Sequence, residues 1–356
     1  MRRYVKGSAL GAAALLSCAA HAQSSVTLYG VVDEFVENMS GGGQHLTALS
    51  DAGMHGNRIG LIGSEDIGGG TKVIFNLEAG FLASNGQSDS PTPGAFFDRR
   101  AYVGMSNQTY GTVKMGLIET AGYNWASQYD VMMIAPASVL GSLVADQPRP
   151  FVGNNERDPG RLPNTLSYET PNIHGFNAQY TYSFGSADTD NSPSYNVLGL
   201  YYAQGPLTTG VLLARVGPGD GLTPATSAQN EADIGVSYNI KYATLYGTFM
   251  YRNVMGFDAD KGWTLGAAIP INTESQIRIG GGKMNSGQKN GSWDLTAVAI
   301  DYMYFLSKST SLYAFAKQLW NSGNAHQTAF LPGGLPSPLE SDSSQRIVGV
   351  GISHKF

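Results

Sequence analysis

Apolar and polar residues alternate at a period of two along most of this 356-residue chain. The clearest stretch is 176–184, where Phe, Ala, Tyr, Tyr and Phe occupy one face and Asn, Gln, Thr and Ser occupy the other. Successive side chains of a strand point to opposite faces of a sheet, so this spacing predicts a strand with one apolar and one polar face. The same alternation recurs at 71–83 and at 294–306.

Sixteen segments of this kind follow one another, at 25–36, 56–66, 71–83, 96–106, 111–119, 162–170, 174–184, 195–204, 207–217, 230–240, 242–253, 262–270, 274–284, 294–306, 310–320 and 345–356. An even number of strands of about ten residues is typical of antiparallel bacterial membrane barrels. After residue 22, no stretch has the roughly 20 apolar residues that a spanning helix needs. We therefore predict an all-β fold, a transmembrane antiparallel barrel of sixteen strands with an apolar outside and a polar lumen.

The connections between these segments are sorted by length. Short, turn-forming links alternate with long, polar ones; the short links are 66–70, 107–110, 171–173, 205–206 and 307–309, and the long ones include 37–55, 84–95, 218–229 and 321–344. This sorting predicts short periplasmic turns at one rim of the barrel and long external loops at the other. The connection at 120–161 exceeds all the others, and a loop of that length is usually functional.

The first 22 residues have the pattern of an export signal. A basic start (MRRYVK) precedes a short apolar run and ends in Ala20-His21-Ala22, which predicts a signal peptide cleaved after Ala22 and a barrel domain spanning 23–356. A lipoprotein cleavage box around Cys18 is the alternative interpretation. Cys18 is the single cysteine of the sequence, so its loss with the leader excludes disulfide and thiolate chemistry in the mature chain.

Charge and histidine spacing narrow the possible functions. Without the three basic residues of the leader, 19 Lys and Arg side chains stand against 27 Asp and Glu, a formal charge of −8 that argues against a nucleic-acid partner. The histidines are scattered without metal-ligand spacing, and no nucleophile elbow is present. We therefore expect no metal, no cofactor and no enzymatic activity.

Several stretches together carry a family resemblance: SVTLYG (25–30), GNRIGLIGSEDIGGGTKVIFNLEAGF (56–81), FFDRRAYVGMSNQTYGTVKMG (96–116), RLPNTLSYETPNIHGF (161–176) and VGVGISHKF (348–356). In order and spacing they resemble the general diffusion porins of Gram-negative bacteria, in particular the β-proteobacterial branch. The resemblance implies a sixteen-stranded barrel in the outer membrane, usually a homotrimer surrounded by lipid and lipopolysaccharide. It also implies that the third external loop, at 120–161 here, folds inward as a constriction loop.

Five basic residues are candidates for the wall of that constriction: Arg58, Arg99, Arg100, Arg161 and Lys114. Alternation turns Arg58 and Arg161 towards the lumen, and both match arginines of the family's basic cluster. Arg99 matches a family arginine, whereas alternation favours Arg100 as the inward residue; a bulge reconciles the two, and both are kept. The alternative role for each arginine is a rim residue that pairs with loop carboxylates or lipid headgroups.

The fifth strand departs from the family pattern. Its Met115-Gly116-Leu117 stretch stands where family members often carry another arginine, and Lys114 has the inward parity to compensate in part. On the inward loop the acidic candidates are Glu119, Asp130 and Asp146, which either contribute to the field in the pore or hold the loop to the wall.

These features predict a water-filled channel for passive diffusion of small hydrophilic solutes and ions, with a modest preference for anions. A substrate-specific channel with an aromatic track, or a barrel whose loops act as an adhesin or receptor, is the alternative. Phe356 ends an alternating strand, which fits a signal read by the barrel-assembly machinery.

Overall fold

The computed structural model describes residues 24–90, 94–133, 135, 137–144, 152, 160–185, 194–218, 228–254, 258–288, 291–326 and 343–356. The predicted signal peptide at 1–22 lies outside the described residues. The described strands are β1 (Ser25–Gly41), β2 (Gln44–Asp51), β3 (Arg58–Gly68), β4 (Thr71–Gly80), β5 (Arg100–Asn107), β6 (Gly111–Glu119), β7 (Arg161–Glu169), β8 (Phe176–Ser183), β9 (Tyr195–Gln204), β10 (Leu207–Val216), β11 (Gln229–Asn239), β12 (Thr244–Val254), β13 (Asp260–Asn272), β14 (Ser275–Asn285), β15 (Gly287–Gln288), β16 (Gly291–Phe305), β17 (Thr310–Gly323) and β18 (Ser344–Lys355).

Two helices, α1 (Ala121–Tyr129) and α2 (Val139–Val144), lie between β6 and β7. Within the described part of the chain, neither has the length and apolar character that a membrane-spanning helix requires.

All neighbouring strands pair antiparallel, and the sheet closes on itself. β1 pairs along one edge with β18 and along the other with both β2 and β3. β2 and β3 are therefore two parts of one barrel strand, interrupted at 52–57, and β15 is a two-residue extension that pairs only with the start of β16. In the described residues this leaves sixteen barrel strands, which confirms the predicted antiparallel barrel.

Closure is completed by the last residue of the chain. Phe356 and Gly30 exchange two backbone hydrogen bonds, N to O at 3.0 and 3.1 Å. The ring of Phe356 lies against Gly30, where any side chain would collide with it. Glycine at this position lets the aromatic ring cover the seam between β1 and β18.

The alternation sorts side chains as the sequence predicts on the outer face. Along β18, Val348, Val350 and Ile352 are 41%, 59% and 46% exposed, whereas Ile347 and Ser353, at alternate positions on either side of them, are buried. On the inner face, the sequence predicted polar residues, but many of the inward positions are apolar. Buried apolar residues on many strands form a continuous core inside the barrel with α1 and α2, because the connection between β6 and β7 folds inward and covers them.

The two rims differ as expected, apart from the first loop. The turn between β3 and β4 is built on Gly68, Gly69 and Gly70, all with positive φ, and the start of β1 and Phe356 lie towards the same rim. The prediction of a long external loop at 37–55 is wrong. β1 continues to Gly41, and a tight turn at Gly42 and Gly43 leads directly into β2, because inward residues of this hairpin are buried against the internal core.

Candidate functional site

Charged side chains converge where five wall strands begin or end at one level of the barrel. The register pairs Glu78 with Arg100 across β4 and β5, and Glu119 with Arg161 across β6 and β7. Arg58 opens β3 opposite the end of β4. Backbone pairing alone therefore brings these residues from distant parts of the sequence to one side of the lumen.

Two carboxylates hold this cluster together. Glu78, which is 1% exposed, accepts Arg99 Nε at 2.8 Å and Arg100 Nη1 at 3.3 Å, and Arg58 Nε lies 4.0 Å from its Oε2. The Tyr29 hydroxyl donates to the same carboxylate at 2.6 Å. The sequence alternation places Glu78 on the inward face with Asn76, but this wall carboxylate was not among the predicted site residues.

Glu119 belongs to this wall and not to the opposite, acidic side of the constriction. Its carboxylate accepts hydrogen bonds from Arg100 Nη2 at 2.5 Å and from Arg161 Nη2 at 3.4 Å. Its assignment to the acidic loop is therefore wrong, because β6 continues through Glu119 before the loop departs. Among these six charged side chains, four arginines face two glutamates, which leaves two net positive charges.

Arg99 and Arg100 both point into the cluster. β5 begins at Arg100, so Arg99 precedes the strand and is free of the alternation that would turn it outward. The Arg99 amide donates to the carbonyl of Glu78 at 3.2 Å, the residue that Arg100 faces in the register, so two consecutive residues lie opposite one, as in the bulge that the sequence allowed. Arg161 also lies over the ring of Tyr123 on α1, with the guanidinium carbon 4.6 Å from the ring centroid, a cation–π contact that links wall and loop.

Lys114 lies closer to the short-turn rim than the arginines. It has inward parity but pairs with Glu169 at 3.6 Å, at the end of β7. Gly116, which precedes the position of the missing family arginine, has a φ of 138° and lies at a register shift between β6 and β7. A Cβ there would collide with the carbonyl oxygen of Ala101, so the backbone excludes any side chain.

The inward connection starts with a capped helix fixed to the far wall. Thr120 is the N-cap of α1, and its hydroxyl accepts a hydrogen bond from the backbone amide of Tyr123 at 3.2 Å. The backbone amide of Thr120 donates to the carbonyl of Gly160 at 2.9 Å, which holds the two ends of the loop together. Trp125 Nε1 donates to the carbonyl of Gly210 at 3.2 Å. α1 therefore crosses the lumen from the arginine cluster to β9–β12.

Glycines in the wall make room for this loop. Tyr129 lies against Gly210 and Gly235, and Leu143 of α2 lies against Gly282, positions where a Cβ would meet these side chains. α2 is also tethered by Lys317, whose Nζ donates to the Ser142 hydroxyl at 2.8 Å. Burial raises the pKa of Tyr129, so its phenol stays neutral where α1 packs on the wall.

The predicted acidic side of the constriction is not exposed in the described loop. Asp130 is 2% exposed and caps the end of α1, where its amide donates to Ala126 at 3.0 Å, so it does not face the pore. Asp146 lies outside the described residues. The exposed side chains of α1 are the uncharged Asn124 and Gln128.

A second inward segment, at 52–57, was not predicted. Asp33 on β1 is fully buried, and its carboxylate accepts hydrogen bonds from the backbone amides of Met54 and His55 at 3.2 and 3.0 Å. These bonds hold the segment inside the barrel. Met54 reaches Arg278 on β14, with Sδ 3.6 Å from Nη2. The only sequence signal for this excursion is the pair of glycines at 53 and 56. Met54 and α2 both contact β14, so the two inward segments meet at the same part of the wall.

These features define the class of protein: a transmembrane β-barrel channel with a positively charged stretch of inner wall and an inward loop. The sequence matches the Gram-negative porin family over residues 9–324. It is 30% identical to outer membrane porin protein 32 of Delftia acidovorans over 351 residues, covering 96% of each chain. An outer membrane porin of Bordetella pertussis is 26% identical, covering 97% of this chain and 98% of the relative.

Among solved structures, the anion-selective porin from Comamonas acidovorans superposes with a TM-score of 0.78 at 27% identity, covering 94% of this chain and 100% of that one. The chain belongs to the Gram-negative porin family. It is an outer-membrane channel for the passive diffusion of solutes.

Proposed function

We propose that this porin is a diffusion channel with a moderate preference for anions and small anionic solutes. One observation carries the proposal: four arginines share two carboxylates on the lumen wall, while the described part of the facing helix exposes only uncharged side chains. A narrow passage in a low-dielectric wall focuses such a charge imbalance on the permeating ion. The similarity to a porin described as anion-selective supports the same conclusion.

Reversal potentials across a planar bilayer test this proposal directly. In a KCl gradient at low salt, the purified protein is expected to show a greater permeability to chloride than to potassium. The preference should weaken at high salt, because screening shortens the range of the arginine field. A preference for potassium at low salt contradicts the proposal.

We further propose that three copies associate through the side formed by β1 and β2. Glu34 and Asp51 are opposite each other in register and have outward parity, and both accept hydrogen bonds from the Asn57 amide at 3.1 and 2.9 Å. Asp51 is already covered within the chain by Asn57 and Ser84, whereas the partly exposed carboxylate of Glu34 is unfavourable against hydrocarbon. If another copy of the chain packs against β1 and β2, this side of the barrel no longer contacts lipid, which is the arrangement expected in a homotrimer. Chemical crosslinking in detergent tests it, and a protein that runs only as monomers contradicts it.

Within the described residues, a serine, a histidine and an aspartate meet at one place, and their geometry does not support a hydrolytic role. His55 Nδ1 lies 3.2 Å from Ser353 Oγ and 3.6 Å from Asp33 Oδ2. Both contacts fall on the same ring nitrogen, whereas a catalytic triad uses one nitrogen for the nucleophile and the other for the carboxylate. We therefore assign Asp33 and His55 to holding the inward segment.

Export and assembly complete the proposal. We propose that residues 1–22 act as a cleaved signal peptide and that the barrel-assembly machinery recognises the last strand through Phe356. The two backbone hydrogen bonds of Phe356 to Gly30 support its importance for closure. N-terminal sequencing of the mature protein tests the cleavage; a start other than Gln23 contradicts it.

A further inference from the structure

The outer wall contains a groove that the channel function does not explain. It has a volume of about 670 Å³ and lies on the lipid-facing side of β13, β14, β16, β17 and β18. Its floor is formed by small residues, among them Ala267, Gly281 and Ala316, and its walls by Leu265 and Ile300, which are 63% and 46% exposed. Small residues between large ones produce an apolar depression in the lipid-facing wall.

The strand register shows which end of the groove lies near the external rim. Leu265, Gly281, Val298, Gln318 and Arg346 form one row across the five strands. The next row towards the long-loop rim consists of Trp263, Lys283, Thr296 and Trp320. The groove therefore has an apolar end within the membrane band and a rim with two cations and two tryptophans.

Tryptophans at a barrel surface mark the depth of the lipid headgroups. Trp263 and Trp320 are 45% and 42% exposed, so they place Lys283 and Arg346 at that depth. Within the part of the chain that the structure describes, neither cation forms an ion pair or a hydrogen bond. The nearest outward carboxylate in the row above, Asp294, accepts the amide of Asn285 at 3.0 Å.

Two outward cations that form no ion pair or hydrogen bond with the described residues, at headgroup depth above an apolar groove, are complementary to an anionic lipid. Lys283 and Arg346 are separated by three strand spacings and by one row along the strands, a span of about 16 Å along the wall. A single phosphodiester headgroup does not bridge such a span, whereas a disaccharide with a phosphate at each end does. We propose that this groove binds one molecule of lipid A, the phosphorylated anchor of lipopolysaccharide, with its phosphates at Lys283 and Arg346 and an acyl chain over Gly281.

Native mass spectrometry of the detergent-purified protein tests the proposal, with bisphosphorylated lipid A, monophosphorylated lipid A and phosphatidylglycerol as the added lipids. The wild type is expected to retain lipid A more tightly than either of the other two. The double variant Lys283→Gln/Arg346→Gln should lose at least about tenfold in affinity for lipid A, because hydrogen bonds to charged groups are the stronger ones.

A matched control and a second variant keep the test decisive. Arg215→Gln removes an exposed outward arginine near the same rim on β10, where the register flanks it with Asn196 and Asn230, and it should leave binding unchanged. Gly281→Leu fills the groove without touching either cation; an added Cβ there makes only an ordinary 3.5 Å contact with Val298, so the barrel should fold.

Heat-dependent mobility on gels verifies folding of each variant. Weaker lipid A binding by both the double variant and Gly281→Leu supports the proposal. Equal binding by wild type and double variant overturns it, as does equal retention of phosphatidylglycerol and lipid A.

Discussion

Arg58 provides the sharpest test of how this channel selects ions. Of the four clustered arginines it is held least tightly, with its Nε 4.0 Å from Glu78. Glu78 retains Arg99, Arg100 and the Tyr29 hydroxyl when Arg58 is replaced, so Arg58→Gln should fold normally. The substitution lowers the net charge of the six-residue cluster from two to one.

The expected effect follows from Coulomb's law. A unit charge about 6 Å from a permeating ion contributes ~0.7 kcal/mol in water, and screening at 0.1 M salt reduces this to ~0.4 kcal/mol. The charge acts with opposite sign on chloride and potassium, so its loss changes their relative barrier by ~0.8 kcal/mol, or about fourfold in the permeability ratio. At 1 M salt the same calculation gives a change of only about 1.4-fold.

Reversal potentials measured with Arg58→Gln and the wild type at both salt concentrations provide the assay. Arg215→Gln, the same substitution on the outer wall, should match the wild type at each concentration. An unchanged permeability ratio for Arg58→Gln at 0.1 M refutes the reasoning, and a change that persists undiminished at 1 M shows that it acts through pore shape and not through charge.

Three other perturbations test how the barrel closes and how its loop is fixed. Phe356→Ala removes the ring that covers Gly30 and should slow assembly, measured as the folded fraction on unheated gels. Gly235→Val overpacks the wall beneath Tyr129 at a cost of about 1–3 kcal/mol, and by pushing α1 into the lumen it should lower single-channel conductance. Lys317→Met removes the bond to Ser142 and should lower the voltage at which channels close; an unchanged threshold shows that the tether does not restrain the loop.

Alternation predicted the strands because each wall position faces either lipid or the inside, and this environment repeats every two residues. The strand count and the inward parity of Arg58 and Arg161 follow from that local rule, whereas the two unequal rims follow from the lengths of the connections. The convergence of the arginines was indicated by the family resemblance, since their separation along the chain gives no local signal of contact.

Other features of the site depend on contacts that no local pattern encodes. Glu119 carries the same charge whether it lies on the loop or on the wall; only the pairing of β6 with β7 places it between Arg100 and Arg161. Asp130 is polar in sequence yet buried, because the loop folds onto the inner wall.

By itself, the sequence determined a closed barrel with an apolar exterior, since lipid imposes one rule on every strand. The tertiary structure alone decided the shape of the pore: the excursion at 52–57, the apolar core beneath α1 and α2, and the sharing of two carboxylates by four arginines. These arrangements arise from contacts across the lumen between residues far apart in the chain, and side-chain periodicity carries no information about such partners.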